Sequence, residues 1–229
     1  MRAMPLEQEI EYPTSDGQPT AETSLHRKVI FDLIEGLENR YTDVPDVWVG
    51  GNLFLCHEKG NPSACRAPDV LLAKGVAKWD RPNYLLWEET PPSLIVEVTS
   101  RKTRQEDLRD KKPLYERIGV EEYILFDPYG EYLKPRLQGY RLEGRRYQPI
   151  RQEEDGPLLS RTTGLTFRPE GERLRMVDTA TGEPLLWPEE EAKARRTAEK
   201  HAAQEAQARR AAEEQVRALQ AELDRLRQG

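Results

Sequence analysis

The spacing of apolar positions divides the chain into a mixed α/β part and a polar C-terminal helix. A stripe of leucine, valine and isoleucine at helical spacing predicts a helix over 21–38. A second helix is predicted from Thr103, where "TRQE" fits a capping box, to Gly119. Apolar runs predict strands near 45–49, 52–56, 67–73, 93–99 and 121–127, with shorter ones near 138–142, 146–150, 165–168 and 173–177. This order predicts the α/β class, with a central mixed sheet flanked by helices.

Residues 188–229 differ in composition from the rest of the chain. They contain almost only strong helix formers and charged residues, and Pro188 suits a first helical turn. We therefore expect one domain, 1–187, followed by a long projecting helix, 188–229. A coiled-coil seam of about two heptads is compatible with self-association, partner docking or a solvated helix, and its positions are Ala212, Val216, Leu219, Leu223 and Leu226.

One predicted strand carries a charge in its apolar middle. In "PPSLIVEVTS", residues 91–100, Glu97 interrupts the continuous apolar run that is typical of a strand buried on both faces. An unpaired carboxylate in an apolar interior is so unfavourable that it normally becomes neutral, pairs with a cation or binds a metal ion. Glu97 therefore requires a partner.

Asp69 is the first candidate partner of Glu97. It stands in "APDVLLA" at the start of another predicted strand. If the two strands are neighbours, the two carboxylates converge. Hard cations such as Mg²⁺ are commonly bound by one or two carboxylates together with water, so the pair is a candidate metal site.

Lys111 is the second candidate partner. The stripe that turns the second helix toward the sheet consists of Leu108, Lys111, Tyr115 and Ile118. Lys111 therefore points inward, either as a structural ion pair with Glu97 or as part of a phosphoryl-transfer site. Pro113 removes one helical hydrogen bond, and we expect a kink near Arg109.

The first helix contributes two more polar side chains. Glu22 and His26 are four residues apart and share the sheet-facing side near its N-terminal end. Either is compatible with an extension of the carboxylate site or with a hydrogen bond to the end of a strand. A histidine at the edge of an apolar face is more often structural.

The charge of the chain is unevenly distributed. A net charge of −6 is unusual for a nucleic-acid binder. However, residues 101–117 hold seven basic and four acidic side chains, and residues 134–146 hold five basic and one acidic. Both segments are compatible with a basic groove or with a solvated face. The candidate nucleic-acid contacts are Arg101, Lys102, Arg104 and Lys112.

The two cysteines, Cys56 and Cys65, are expected to be reduced, because so few cysteines do not make a disulfide framework. With His57 they offer three metal ligands, but zinc is not favoured without CxxC spacing and a fourth partner. No stretch approaches the roughly 20 apolar residues of a membrane helix, and "MRAMPLEQEI" lacks the apolar core of a signal peptide. We therefore expect a cytoplasmic protein with no membrane partner.

Four segments, taken in order, resemble one family. They are "PDV" at 68–70, "VEVTSRKT" at 96–103, "DLRDKKPLYERIGVEEYILFDP" at 107–128 and "YLKPRLQGYRL" at 132–142. They are similar to the bacterial Uma family of "putative restriction endonucleases", a branch of the PD-(D/E)XK nuclease superfamily. The ordered series is more specific than any one of its motifs.

The resemblance implies a restriction-endonuclease-like core and a Mg²⁺-dependent endodeoxyribonuclease. Asp69 and Glu97 would bind Mg²⁺, for which Mn²⁺ can substitute, and Glu22 would be an accessory ligand or base. The superfamily's lysine normally stands two residues after the glutamate, where this chain has Thr99. Lys111 matches the lysine of the family instead, and would contact the scissile phosphate or the attacking water. DNA is the implied partner, and the use of two active sites to cut both strands makes a homodimer the expected assembly.

Other functions are also compatible with the sequence. A nuclease fold with weakened chemistry, as Thr99 permits, would be a binding module for nucleic acid or protein that associates through its C-terminal helix. An assembly protein would act mainly through residues 188–228. On the residues alone, Glu97 and Lys111 are equally compatible with a buried ion pair, and Asp69 with a strand cap.

Overall fold

The computed structural model describes residues 12–14, 23–153 and 156–228. The chain divides into two compact units, one that ends at Leu185 and one that begins at Leu186. Within the described residues, no helix combines the length and the apolar character that crossing a membrane requires.

Among the residues that the structure describes, the first unit contains two α-helices and twelve strands, and the second unit contains one helix. The helices are α1 (Ser24–Arg40), α2 (Lys112–Ile118) and α3 (Pro188–Gln228), and a π-helical segment, Glu106–Lys111, leads into α2. The strands are β1 (Val47–Gly50), β2 (Phe54–Cys56), β3 (Cys65–Arg66), β4 (Val70–Lys74), β5 (Asn83–Leu85), β6 (Leu94–Val98), β7 (Glu122–Phe126), β8 (Leu137–Glu143), β9 (Arg146–Pro149), β10 (Leu158–Ser160), β11 (Leu165–Glu170) and β12 (Arg173–Asp178).

A six-stranded central sheet, in the order β1-β4-β6-β7-β8-β9, organises the first unit. Strands β6 and β7 are parallel and are joined through α2, while the other neighbouring pairs are antiparallel. Two three-stranded sheets, β10-β11-β12 and β3-β2-β5, accompany it. The predicted α/β class, with a central mixed sheet, flanking helices and a long C-terminal helix, is confirmed.

The two faces of the central sheet bury two separate cores. Because side chains alternate along a strand, Val96 and Val98 of β6 point to a first face, which packs against α1 and the sheet β10-β11-β12. Ile95 points to a second face, which packs against α2 and parts of the sheet β3-β2-β5. By the same alternation, Glu97 belongs to the second face, whose core includes Tyr84, Tyr115, Tyr123 and Tyr147.

The predicted cap of the second helix was wrong by one turn. Ser100, rather than Thr103, holds the N-terminal position: its hydroxyl accepts a hydrogen bond from the Thr103 amide at 3.3 Å, and the Thr103 hydroxyl accepts one from the Ser100 amide at 3.0 Å. This exchange is the geometry of a capping box. At the other end, Gly119 terminates α2 in the left-handed conformation, with φ of 89°, as predicted.

The distortion expected from Pro113 takes the form of the π-helical segment. The amide of Lys112 donates to the carbonyl of Asp107, five residues back. Pro113 has no N–H, so the regular helical bond to the carbonyl of Arg109 cannot form. The wide turn ends at Lys111, the inward-pointing lysine.

The expectation of two reduced cysteines was wrong. Cys56 and Cys65 form a disulfide. They are directly opposite each other in the antiparallel pair β2–β3, and the next pair, His57 and Ala64, is hydrogen-bonded through the backbone. Because both sulfur atoms are bonded to each other, they cannot act as thiolate ligands, and the zinc site considered with His57 is excluded.

Candidate active site

Asp69 and Glu97 meet at one end of the central sheet. Val70 of β4 pairs with Val96 of β6, and this register places Asp69 opposite Glu97. The backbone amide of Asp69 lies 3.4 Å from Glu97 Oε2, and Asp69 Oδ2 accepts a hydrogen bond from the Val98 amide at 2.7 Å. The two carboxylates therefore flank the same pair of strands, as the sequence predicted.

Lys111 points from the π-helical segment into this cluster. Its Nζ lies 2.9 Å from Glu97 Oε2 and 3.5 Å from Asp107 Oδ1, and the Ala67 carbonyl is 3.4 Å away. The side chain is buried, so the helical stripe oriented this lysine correctly. The Glu97–Lys111 ion pair is formed, and Asp69 belongs to the same cluster.

Tyr115 completes the contacts of Glu97. Its hydroxyl donates to Glu97 Oε1 at 3.1 Å, so each carboxylate oxygen has a donor. The Tyr115 ring packs edge-on against Tyr123, with centroids 5.2 Å apart, and the Tyr123 hydroxyl donates to the Asp107 carbonyl at 3.1 Å. The fully buried rings of Tyr115 and Tyr123 thus line the inner side of the cluster.

The cluster holds more negative than positive groups. Burial raises the pKa of Glu97 well above its usual range, while the Lys111 ammonium lowers it and the Asp69 and Asp107 carboxylates add to the rise. Burial alone would lower the pKa of Lys111, but Glu97, Asp107 and Asp69 outweigh it and raise that pKa. The lysine is therefore held as an ammonium, and a further cation at this cluster would oppose the rise in the pKa of Glu97.

The carboxylate oxygens of Asp69 and Glu97 are of the chemical type that hard divalent cations prefer as ligands. The Asp69 side chain is partly exposed, whereas that of Glu97 is buried, so a cation would approach from the Asp69 side. The described residues contain no group of three or more His, Cys, Asp or Glu side chains suited to holding a metal ion. Mg²⁺ is nevertheless commonly bound by only one or two carboxylates, with water and substrate oxygens as the other ligands.

Of the two polar residues predicted on the first helix, one lies at the site. The buried His26 Nε2 donates to the Val98 carbonyl at 2.6 Å and lies 3.7 Å from Asp69 Oδ2. His26 thus hydrogen-bonds the end of β6, one of the two roles compatible with the sequence. Glu22 lies outside the described residues.

The four candidate nucleic-acid contacts do not form one uniform group. Arg101 and Lys102 are exposed in the loop that follows β6, and Arg104 is half-buried at the start of the next helical turn. The Lys112 ammonium lies 3.5 Å from the centroid of the Tyr140 ring, so its charge is engaged in a cation–π contact. The loop after β6 is therefore the stronger candidate for a phosphate contact.

Sequence reasoning missed Asp107 as a member of the site. Asp107 is buried beside Lys111, and burial raises the pKa of its carboxyl. The available signal was its position four residues before an inward lysine, which puts both side chains on one side of the helix. Thr99, which stands where the superfamily has its lysine, is buried as well.

Comparisons with known proteins place the chain among nuclease-like sequences. The model of the Uma2 family, described as "Putative restriction endonuclease", matches residues 1–171. Among solved structures, the chain is similar to "a putative nuclease belonging to DUF820 from Anabaena variabilis ATCC 29413", with 11% sequence identity, a TM-score of 0.46, and coverage of 62% of this chain and 76% of that chain. A similarity this distant carries no argument about the site. No curated protein matches the chain.

Proposed function

The chain belongs to the Uma2 family, and from this premise we propose that it is a metal-dependent endonuclease that hydrolyses phosphodiester bonds of DNA. The observation that supports the proposal is the convergence of Asp69, Glu97 and Lys111 at one end of the central sheet. A buried ion pair alone would not require the second carboxylate. Metal-assisted phosphodiester hydrolysis uses carboxylates to hold the metal ion and positive charge to stabilise the phosphate, and this cluster offers both.

Asp69 and Glu97, with the Val98 carbonyl beside them, would hold Mg²⁺ or Mn²⁺. The cation would neutralise charge on the phosphate oxygens and acidify a bound water. Glu97 is oriented for this role because Tyr115 and Lys111 each donate to one of its oxygens. His26 fixes the Val98 carbonyl, and Glu22 remains an accessory ligand or base in the proposal.

Lys111 would hold its proton and direct its ammonium at the scissile phosphate or the attacking water. Glu97 and Asp107 keep the amine charged and restrict its position, so little reorganisation is needed when negative charge develops. Lys111 therefore substitutes for the lysine that is missing at Thr99.

DNA would be held by phosphate contacts from Arg101, Lys102 and Arg104, with Lys112 as a further contact from α2. Affinity that depends on such contacts falls as salt concentration rises. The exposed seam of α3, which includes Val216, Leu219 and Leu223, supports a homodimer. We expect the protein to act in the cytoplasm.

A second candidate function is a nuclease fold with weakened chemistry that recognises nucleic acid or a protein. One observation favours it: the buried Glu97 is already paired with Lys111, so a cation must compete with an existing partner. In that case the ion pair is structural and the surface loops are the functional part.

Cleavage of supercoiled plasmid with Mg²⁺ or Mn²⁺ tests the proposal. We expect nicking by the wild type, and its loss in Asp69→Asn, Glu97→Gln and Lys111→Met. Glu121→Gln, an exposed change immediately before β7, is the matched control and should cut like the wild type. A wild type that is inert with both metals, or variants that cut equally well, would make the binding module the better account.

A further inference from the structure

The loop between β7 and β8, residues 127–136, begins beside the candidate active site. In the parallel pair β6–β7, Glu97 is opposite Leu125 and Val98 is opposite Phe126. The Thr99 amide also donates to the Phe126 carbonyl at 2.7 Å. The loop thus leaves the sheet where the chain leaves β6, at the spacing of neighbouring strands, about 5 Å.

A buried carboxylate holds the first half of this loop in place. Asp127 is fully buried, and its oxygens accept hydrogen bonds from the backbone amides of Tyr129 at 3.1 Å, Tyr132 at 2.5 Å and Leu133 at 3.0 Å. Leu133 is itself buried in the core of the second face. The loop therefore has a defined conformation without a helix or a strand of its own.

Tyr129 is presented to solvent by this anchored loop. It is 47% exposed, whereas the tyrosines of the core, such as Tyr115 and Tyr123, are fully buried. The loop that follows β6, which carries the exposed Arg101 and Lys102, leaves the sheet beside the start of loop 127–136, because the Thr99 amide is hydrogen-bonded to the Phe126 carbonyl. An exposed aromatic ring, held by fixed backbone next to basic side chains, is the arrangement that single-stranded nucleic acid uses for stacking.

We propose that Tyr129 stacks on an unpaired base of the substrate strand next to the cleaved phosphate, and that loop 127–136 positions this strand. The inference rests on the proposed nuclease function and makes it more specific. In a regular duplex both faces of a base are covered by its neighbours. A Tyr129 contact therefore selects DNA that is single-stranded or unpaired near the cleavage point. A regular duplex would be bound through its phosphates alone, without the Tyr129 contact.

Fluorescence anisotropy with labelled oligonucleotides tests the proposal in the full chain. The parent protein carries Glu97→Gln so that the DNA is not cleaved during the measurement, and the probes are a 15-nucleotide single strand and its duplex. The added changes are Tyr129→Ala and Tyr129→Phe. Trp79→Ala is the matched control, because Trp79 is also an exposed aromatic residue, with 54% of its surface exposed. It follows the C-terminal end of β4, whereas Asp69 precedes the N-terminal end of that strand.

We expect Tyr129→Ala to weaken binding of the single strand about tenfold or more. Tyr129→Phe, which keeps the ring, and Trp79→Ala should change it about twofold at most, and duplex binding should change little in every variant. Equal binding by the Tyr129→Ala protein, or an equal loss for single strand and duplex, overturns the stacking role. Wild-type plasmid cleavage with unchanged binding by Tyr129→Ala would overturn this inference alone, whereas absence of both cleavage and DNA binding would overturn the proposed function too.

Discussion

Glu97 and Glu122 are two buried glutamates on neighbouring parallel strands, each 1% exposed and each paired with a cation. Lys111 Nζ is 2.9 Å from Glu97, and Arg141 Nε is 2.8 Å from Glu122. They lie toward opposite ends of the strands, because Glu122 opens β7 whereas Glu97 is near the end of β6. By burial and pairing alone, the two are indistinguishable.

Their other neighbours separate them. Glu122 also accepts hydrogen bonds from the Ser160 hydroxyl and the Arg161 amide, so it connects β7 and β8 to the end of β10. All of these partners are donors, and none of them is a second carboxylate. Glu97 instead shares its cation with Asp107 and lies beside Asp69. The comparison teaches that a second carboxylate nearby, rather than burial, distinguishes a candidate active site from an ion pair that only connects strands.

The largest expected difference between the two glutamates is in catalysis. Glu97→Gln should reduce the rate of plasmid nicking about 10³-fold. The change removes the negative charge that would hold the metal ion beside the reacting phosphate. Glu122→Gln should change the rate per folded molecule about threefold at most. The measurement is the initial nicking rate at saturating Mg²⁺. Similar losses of nicking rate in the two variants would mean that a neighbouring carboxylate does not distinguish a catalytic glutamate from a structural one.

Stability should show the reverse order. Glu122→Gln leaves Arg141 without its buried partner and should lower the free energy of unfolding by about 3 kcal/mol. Glu97→Gln should cost only about 1 kcal/mol, because Lys111 keeps Asp107 and the repulsion from Asp69 is relieved. Urea unfolding at neutral pH, without added metal, measures both values. A larger loss for Glu97→Gln would indicate that the Glu97–Lys111 pair is mainly structural.

Lys111 provides a smaller test on the catalytic side. Lys111→Met should lower kcat about 10²-fold, since a fixed positive charge near the phosphate is lost. Lys111→Arg should recover part of that loss. Arg109→Met is the neighbouring control: its side chain is exposed on the same segment, so kcat should change about threefold at most. If both methionine variants behave alike in single-turnover cleavage, the inward orientation of Lys111 has no catalytic meaning.

The smallest expected effect is a difference in alkaline stability. Burial raises the pKa of Tyr115 and of Tyr123, and the surrounding carboxylates raise the pKa of Lys111 despite its burial. These groups bind their protons more tightly in the folded chain. Their contribution is therefore complete below the pKa of the unfolded chain, about 10 for tyrosine and lysine, and is lost as pH rises above it.

The cation beside Glu122 is an arginine, which stays charged through this range. Tyr115→Phe should therefore lose about 1 kcal/mol less stability than the wild type between about pH 9 and about pH 11, while Glu122→Gln should follow the wild type. Denaturant unfolding at the two pH values measures this. Parallel losses in wild type and Tyr115→Phe would show that Tyr115 does not carry the dependence.

Periodicity was sufficient to find the parts of the site that lie within regular elements. Glu97 was visible as a charge in an apolar strand, and Lys111 as a charge in an apolar helical stripe. Asp107 was not, because one helical turn of separation is also common between charges on a solvated face. Glu122 was missed because it opens its strand, where a charge breaks no pattern.

The features that the sequence did not predict depend on which positions of neighbouring strands face each other. The disulfide depends on Cys56 and Cys65 facing each other across a hairpin, and cysteine number and expected compartment carry no information about that pairing. The short strands β3, β5 and β10 are too brief for a periodic pattern and form because their neighbours offer a partner edge. The anchoring of loop 127–136 by Asp127 likewise becomes visible only when the strand end is placed.

The π-helical segment has a consequence for how the chain tolerates insertions and deletions. A π turn accommodates one residue more than a regular turn. Deletion of one residue between Asp107 and Lys111 would restore an ordinary helix and change their separation from four residues to three. Their carboxylate and ammonium groups would then lose the spacing that now joins them at 3.5 Å. The length of this segment, as much as the identity of its residues, sets which charges reach Glu97.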